Sequence, residues 1–157
     1  MQYTRLTKEQ FEELQQEFIN FLASQTITAK EWETLKKEKP EVAESELDVF
    51  SDLIWEGVLS NTSYLEHYFS NQLYLFEFQE QKIKLISIKI NDSSVDLTKT
   101  EGLNWLTGHL SHHTVDIFKA SKAYSKNRNS DIFALVQQGA VISKGELYKS
   151  ISQQIGN

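Results

Sequence analysis

The chain contains no cysteine, one proline (Pro40) and six glycines that do not cluster. Without cysteine, disulfides and thiolate metal sites are excluded, and a reducing cytoplasm is the simplest compartment. Scattered glycines exclude a glycine-rich phosphate loop, and the Gly-x-Ser-x-Gly pattern of a hydrolase nucleophile is absent. No apolar run approaches the ~20 residues that would span a bilayer, so we expect no membrane segment.

The remaining composition is that of an ordinary globular protein. Of 157 residues, 39% are hydrophobic and 24% are charged, which predicts one domain over residues 1–157. The first residues, MQYTRLTKEQFEEL, have no basic stretch followed by an apolar core, so we expect no signal peptide and a cytoplasmic protein.

Charge is distributed unevenly along the chain. Residues 1–60 carry 6 Lys and Arg against 13 Asp and Glu, whereas residues 118–157 carry 6 against 2. Such asymmetry is found at interaction surfaces, although solvated helix faces also produce it.

Helical periodicity dominates the first 60 residues. Thr7 and Gln10 form a capping box before a helix that ends near Ser24, and Thr28 starts a second helix that ends before Pro40. The third and central helix covers residues 40–59. On a helical wheel its apolar residues fill half the circumference, namely Val42, Ala43, Leu47, Phe50, Leu53, Ile54 and Val58. Gly57 would permit close packing of a neighbouring element against this helix.

The middle of the chain predicts a small, mostly antiparallel sheet. Residues 64–69 look like a short aromatic helix, and residues 73–78 and 83–90 form a β-hairpin. A helix that carries Leu103, Trp105, Leu106 and Leu110 then leads to residues 114–119, which are a third strand or a helix.

Two helices end the chain. Asn129 or Ser130 caps the first, Gly139 ends it, residues 140–142 form a link, and Ser143 starts the second. The fold class is therefore α+β, with an N-terminal three-helix unit, a central sheet and a C-terminal helix pair.

Four segments resemble an uncharacterised family of small cytoplasmic proteins from Bacteroidetes, a domain of unknown function. They are RLTKEQFEELQQEF, KEKPEVAESELDVFSDLIWEGVL, YLEH and NSDIFALVQQGAVISKGELYKSI, at residues 5–18, 37–59, 64–67 and 129–151. The resemblance implies a bacterial, cytoplasmic protein and transfers no active site.

A protein-binding site is predicted on the polar half of the central helix, where Trp55 lies among Glu44, Asp48 and Asp52. An aromatic ring among carboxylates is typical of a hot spot that captures a basic partner. The alternative is that Trp55 covers the C-terminal segment of its own chain.

A nucleic-acid site is the second hypothesis. The C-terminal helices could form a helix-turn-helix whose phosphate-facing cations are Lys122, Lys126, Arg128 and Lys144. Two antiparallel core helices are the alternative.

A metal site is the third hypothesis. If residues 109–113 were helical, His109 and His113 would share a face, with Asp116 just beyond. Leu110 stands where a His-Glu-x-x-His motif has its base, and structural histidines are the alternative.

No local cluster can be assigned roles as acid, base or nucleophile, so no catalytic residue and no cofactor are predicted. The function is unknown from sequence. We favour a non-catalytic cytoplasmic interaction or accessory protein with an unidentified protein partner, and a homo-oligomer stays open. The alternatives are an RNA- or DNA-associated factor and a metal-dependent hydrolase.

Overall fold

Four helices lie within the first 60 residues, and the five strands of the described residues follow them. The computed structural model describes residues 1–156. Its elements in chain order are α1 (Lys8–Glu13), α2 (Gln15–Ser24), α3 (Ala29–Glu38), α4 (Pro40–Ser60), β1 (Tyr64–Tyr68), β2 (Gln72–Phe78), β3 (Lys82–Ile90), α5 (Thr100–Gly108), β4 (Val115–Ala123), α6 (Arg128–Gln137), β5 (Val141–Ser143) and α7 (Glu146–Gln154). The α+β class is confirmed. Within the described residues, no helix combines the length and the apolar character needed to cross a membrane.

Two compact units divide the chain, a first unit from Met1 to Ser60 and a second unit that begins at Asn61. A single domain stays a prediction. Each unit has its own hydrophobic core.

In the first unit, the single helix predicted over residues 7–24 is wrong, because the backbone breaks at Leu14. The φ and ψ angles of Leu14 are −103° and 25°, and its N–H still donates to Gln10 O. The capping box of Thr7 and Gln10 is present, as is the cap of Thr28 on Glu31. The central helix is confirmed as α4 (Pro40–Ser60).

Aromatic rings fill the core of the first unit. Phe50, 3% exposed, lies with its ring centroid 5.1 Å from Phe18, 5.4 Å from Phe21 and 5.9 Å from Phe11. The buried face of α4 is narrower than the wheel predicted, because Val42, Leu53 and Val58 are exposed. Gly57 makes no close approach, since a Cβ there would meet nothing within 4 Å.

The second unit is built on an antiparallel sheet with strand order β4-β3-β2-β1-β5. The predicted hairpin is confirmed as β2 and β3, and the third strand as β4. The helix predicted over residues 64–69 is wrong, as is the link at 140–142: β1 and β5 occupy these positions and pair with each other. Residues 64–68 form a strand because short aromatic runs also pack well in a sheet and because β1 pairs with both β2 and β5.

One face of this sheet carries the core of the second unit. Five residues of β2 and β3 are buried there, namely Leu73, Leu75, Ile86, Ile88 and Ile90. Residues later in the chain pack on them, namely Val95, Leu97, Leu106, Tyr148 and Ile151. Leu75 pairs with Ile86 and Leu73 with Ile88, so the register sets the apolar side chains on one face.

The C-terminal helix ends differ from those predicted. Asn127, rather than Asn129 or Ser130, caps α6, with Oδ1 accepting from Ser130 N at 3.0 Å. Gly139 follows the end of α6 with φ +113°, as predicted. Helix α7 begins at Glu146 after Gly145, so Ser143 does not start it.

Candidate functional site

The residues predicted to bind a partner lie along one side of α4, where the chain's own N-terminal segment (residues 2–6) runs. Asp52 accepts hydrogen bonds from Gln2 N at 2.7 Å and Tyr3 N at 2.9 Å. Arg5 pairs with both Asp48 and Glu44, and these bonds raise the pKa of Arg5 further above its ordinary value. Glu44, Asp48 and Asp52 therefore hold the N-terminal segment, which supplies the basic group predicted for a partner.

The N-terminal segment is anchored at its end by a buried contact. Leu6 N donates to Ser51 Oγ at 3.0 Å, and Ser51 Oγ donates to Leu47 O at 2.8 Å. Leu6 and Ser51 are both buried. Ser51 thus gives a buried backbone N–H its acceptor.

Trp55 is half-buried and packs against the core of the first unit, and its indole nitrogen is shielded from solvent. Much of the ring therefore contributes to the first unit's own packing. The hot-spot hypothesis for Trp55 stays a prediction.

The four cations predicted to bind nucleic acid do not converge on one patch. Lys122 lies on β4 at one edge of the sheet, and Lys144 follows β5 at the other edge. Four strand spacings separate these edges, about 19 Å. Lys126 is exposed just before α6, where its N–H lies 3.4 Å from Asp131 Oδ1.

Arg128, the first residue of α6, is half-buried in a structural contact. Its guanidinium donates to the carbonyl oxygens of Thr62 and, at 3.4 Å, Phe78. Thr62 lies two residues before β1 and Phe78 is the last residue of β2, so Arg128 connects α6 to the sheet.

The histidines follow α5 rather than lying within it, because α5 ends at Gly108. His109 and His113 therefore do not share a helix face. The His109 ring stacks on Trp105 with centroids 4.4 Å apart and planes at 4°, and His113 contacts His112 with centroids at 4.3 Å. Asp116 accepts from Asn91 Nδ2 at 2.8 Å. Among residues 1–156, no three His, Asp or Glu side chains lie together as a metal site would require.

A cleft of about 410 Å³ lies on the other face of the sheet, beside β4, and we call it the β4 cleft. Its floor is a row of paired residues, Phe76, Leu85 and Ala120, one from each of β2, β3 and β4. Its wall is formed by Asp131, Ala134 and Leu135 of α6 and by Gln138, the residue that follows the helix. The lining is mostly apolar with a few polar groups at the rim, the composition of many binding sites.

Asp131 is the acidic group in the lining of the β4 cleft, which also includes Lys122, and it holds the turn before α6. Burial acts to raise its pKa, but hydrogen bonds from Ser125 N, Ser125 Oγ and Lys126 N, with the charge of Lys122, leave the pKa below its ordinary value. The Ser125 bonds are 2.7 and 2.9 Å long. Asp131 is therefore an ionised, structurally engaged carboxylate near neutral pH.

Strand β4 borders the β4 cleft and forms a long edge of the sheet. Its nine residues pair only with β3 among the described strands, and all six from Phe118 to Ala123 are exposed. Phe118 is 65% exposed. Asn91 N donates to Thr114 O, one pair beyond Ile90 and Val115.

The alternation of an antiparallel ladder gives the direction of the remaining backbone groups of β4. Because Thr114 turns its backbone toward β3, so do Asp116, Phe118, Ala120 and Lys122. The backbone groups of Ile117, Ser121 and Ala123 point outward, away from the sheet. Sequence reasoning missed the β4 cleft and this edge; the exposed aromatic residue in a run with lysines was the signal available.

The fold and these surfaces define an α+β protein with an open antiparallel sheet, one edge of which is long and exposed. Residues 1–156 match the model of a family described as "Family of unknown function (DUF6495)". The chain belongs to this family. No curated protein and no solved structure matches the chain significantly.

Proposed function

We propose that the protein is a non-catalytic interaction protein that binds another polypeptide along the exposed edge of β4. The observation that carries this proposal is the edge itself, nine residues long and next to an apolar cleft. Outward N–H and C=O groups pair readily with an added strand, while an adjacent cleft accepts a side chain of that strand.

The non-catalytic part of the proposal is supported by the bonds of the acidic side chains. Asp92 accepts from Ser94, Asp96 accepts from Thr98, and Asp131 accepts from Ser125, in each case to hold a turn. These bonds lower the pKa of each carboxyl group. A general base near neutral pH needs a raised pKa instead.

We place this interaction in the bacterial cytoplasm. The lack of cysteine and the resemblance to small cytoplasmic proteins from Bacteroidetes support this compartment. The dispersal of Lys122 and Lys144 to opposite edges of the sheet disfavours a single phosphate-binding patch. Salt-dependent retention on RNA or DNA would favour that alternative, and one zinc per chain would favour the hydrolase.

The test is affinity capture with Ser121→Pro. Because Ser121 N–H points outward, proline removes a donor for the added strand and no bond of the ladder with β3. We expect this variant to lose partners that the wild type captures, while Ser121→Ala, the matched control, retains them. Unchanged circular dichroism would show that the fold is intact. Equal capture by wild type and Ser121→Pro would contradict the proposal.

A further inference from the structure

We infer that the polypeptide bound at the β4 edge is a second copy of this chain, paired antiparallel β4 to β4 about a two-fold axis at residue 119. This inference rests on the proposed function, since it assigns a partner to the same edge. The argument is the self-complementarity of the strand, VDIFKASKA.

The register follows from the charges of β4. When residue 119 lies on the axis, Asp116 of each copy stands opposite Lys122 of the other. Both residues lie on the face of the sheet that carries the β4 cleft, since Asp116 pairs with Lys89 and Lys122 with Ile83. Opposite charges directly across a strand pair stabilise it, and this register provides the contact twice. Asp116 keeps acceptor capacity for it, because Asn91 uses only one bond to Oδ2.

The same register pairs a large side chain with a small one. Phe118 of each copy stands opposite Ala120 of the other, and Ala120 is part of the floor of the β4 cleft. The exposed ring therefore lies against Ala120, at the β4 side of the partner's cleft, with Leu85 the next residue of that row. An aromatic side chain buried in an apolar pocket is the usual centre of a tight interface.

The backbone agrees with this pairing. In this register Ile117 and Ser121 of opposite copies face each other, and the backbone groups of both point outward, so each pair exchanges two hydrogen bonds. The Lys119 residues of the two copies face each other on the opposite face of the sheet. That like-charge contact weakens the pairing, so the association is reversible and dilution should separate the copies.

The first experiment measures mass by sedimentation over a dilution series. We expect the wild type to be a dimer that dissociates on dilution, and Ser121→Pro to raise the dissociation constant by at least about tenfold. Ser121→Ala should leave it within about twofold, because its N–H is retained. Phe118→Ser should weaken the dimer as Ser121→Pro does. A wild type that stays monomeric at the highest concentration overturns the inference.

The second experiment tests the register and uses the absence of cysteine from the chain. Under mild oxidation, Lys119→Cys should form an intermolecular disulfide, because the two copies of residue 119 face each other within bonding distance. Ala123→Cys lies on the same strand and should not form one, since its two copies would be about 27 Å apart. Efficient cross-linking of Ala123→Cys, or none of Lys119→Cys, overturns the register.

The two proposals fail in different ways. If the protein is monomeric, and Ser121→Pro loses a different polypeptide that the wild type captures, the inference of a second copy is overturned. The proposed function is then retained. If Ser121→Pro changes neither mass nor captured proteins, both are overturned.

Discussion

Two nitrogens of the Arg5 guanidinium hold a single oxygen of Asp48: Nε at 2.8 Å and Nη2 at 2.7 Å from Oδ1. About a third of each side chain is in contact with water, 38% for Arg5 and 32% for Asp48. Ion pairs this exposed contribute little to stability, because water and salt screen them. The buried end of the N-terminal segment, at Leu6 and Ser51, should therefore hold it more strongly than its charges do.

This contrast can be measured with Ser51→Ala and Arg5→Ala. Removing the buried hydroxyl leaves Leu6 N–H without its acceptor, so we expect the free energy of unfolding to fall by about 1–3 kcal/mol. Arg5→Ala should cost less than about 1 kcal/mol. Urea melts of both variants at one salt concentration provide the comparison. A larger loss for Arg5→Ala would mean that charge, rather than the buried contact, holds the segment.

Phe50 is the centre of the aromatic core of the first unit. Phe50→Ala should lower the free energy of unfolding by about 3–5 kcal/mol, because the rings of Phe11, Phe18 and Phe21 would border a cavity. Val49→Ala is the matched control, on the same helix but 47% exposed, and should change it by about 0.5 kcal/mol or less. Denaturant melts followed by tryptophan fluorescence suit this test, since Trp32 contacts Phe18. Similar losses for the two variants would contradict this assignment of the core.

Two glycines of α5 should respond oppositely to alanine. A Cβ on Gly102 would lie 1.9 Å from Asp96 O, so the backbone would have to move, and we expect a loss of about 1–3 kcal/mol or more. Gly108 has nothing within 4 Å of such a Cβ. Gly108→Ala should therefore be neutral or stabilise by up to about 1 kcal/mol, since alanine favours the helix. Thermal melts would reveal the difference, and a destabilised Gly108→Ala beside a normal Gly102→Ala would contradict it.

Asp131 should make stability depend on pH in the acid range. Its folded pKa is below the ordinary value of about 3.9, so near that pH the unfolded chain binds more protons than the folded protein. The stabilisation is complete well above pH ~4 and is lost as the pH falls through the folded pKa. Asp131→Asn should be less stable than the wild type at neutral pH, and the difference should shrink below pH ~4. Unfolding free energies across this range test it, and a difference that stays constant would contradict it.

The elements that sequence predicted well are those whose pattern is local. The α4 helix follows from Pro40 and its apolar repeat, and the β2–β3 hairpin from two alternating runs separated by polar residues. Strand β1 was misassigned because the spacing of Tyr64, Leu65 and Tyr68 fits a helix or a strand. Its pairing with β5, more than 70 residues later, is a long-range contact that no local pattern encodes.

The candidate site was less predictable than the fold for the same reason. The β4 cleft is lined by residues from four elements, and Phe76 and Leu135 have no sequence relation that would bring them together. Similarly, residues 2–6 have no periodic pattern, and only the structure shows that Asp48 and Asp52 bind them. Glu44, Asp48 and Asp52 were predicted to bind a partner, and that stays a prediction; the structure shows that all three contact the N-terminal segment of the same chain.

The division of the chain at Ser60 also bears on synthesis. The contacts that define the core of the first unit, from Leu6 to Trp55, all lie within residues that leave the ribosome before any strand has emerged. A nascent chain stalled after α4 therefore already contains every residue of that aromatic core, and translation proceeds slowly enough for helices to collapse. The sheet is complete only after β5 has been synthesised, because the pairing of β1 with β5 requires residues up to 143. Until then the second edge of the sheet stays open on the growing chain.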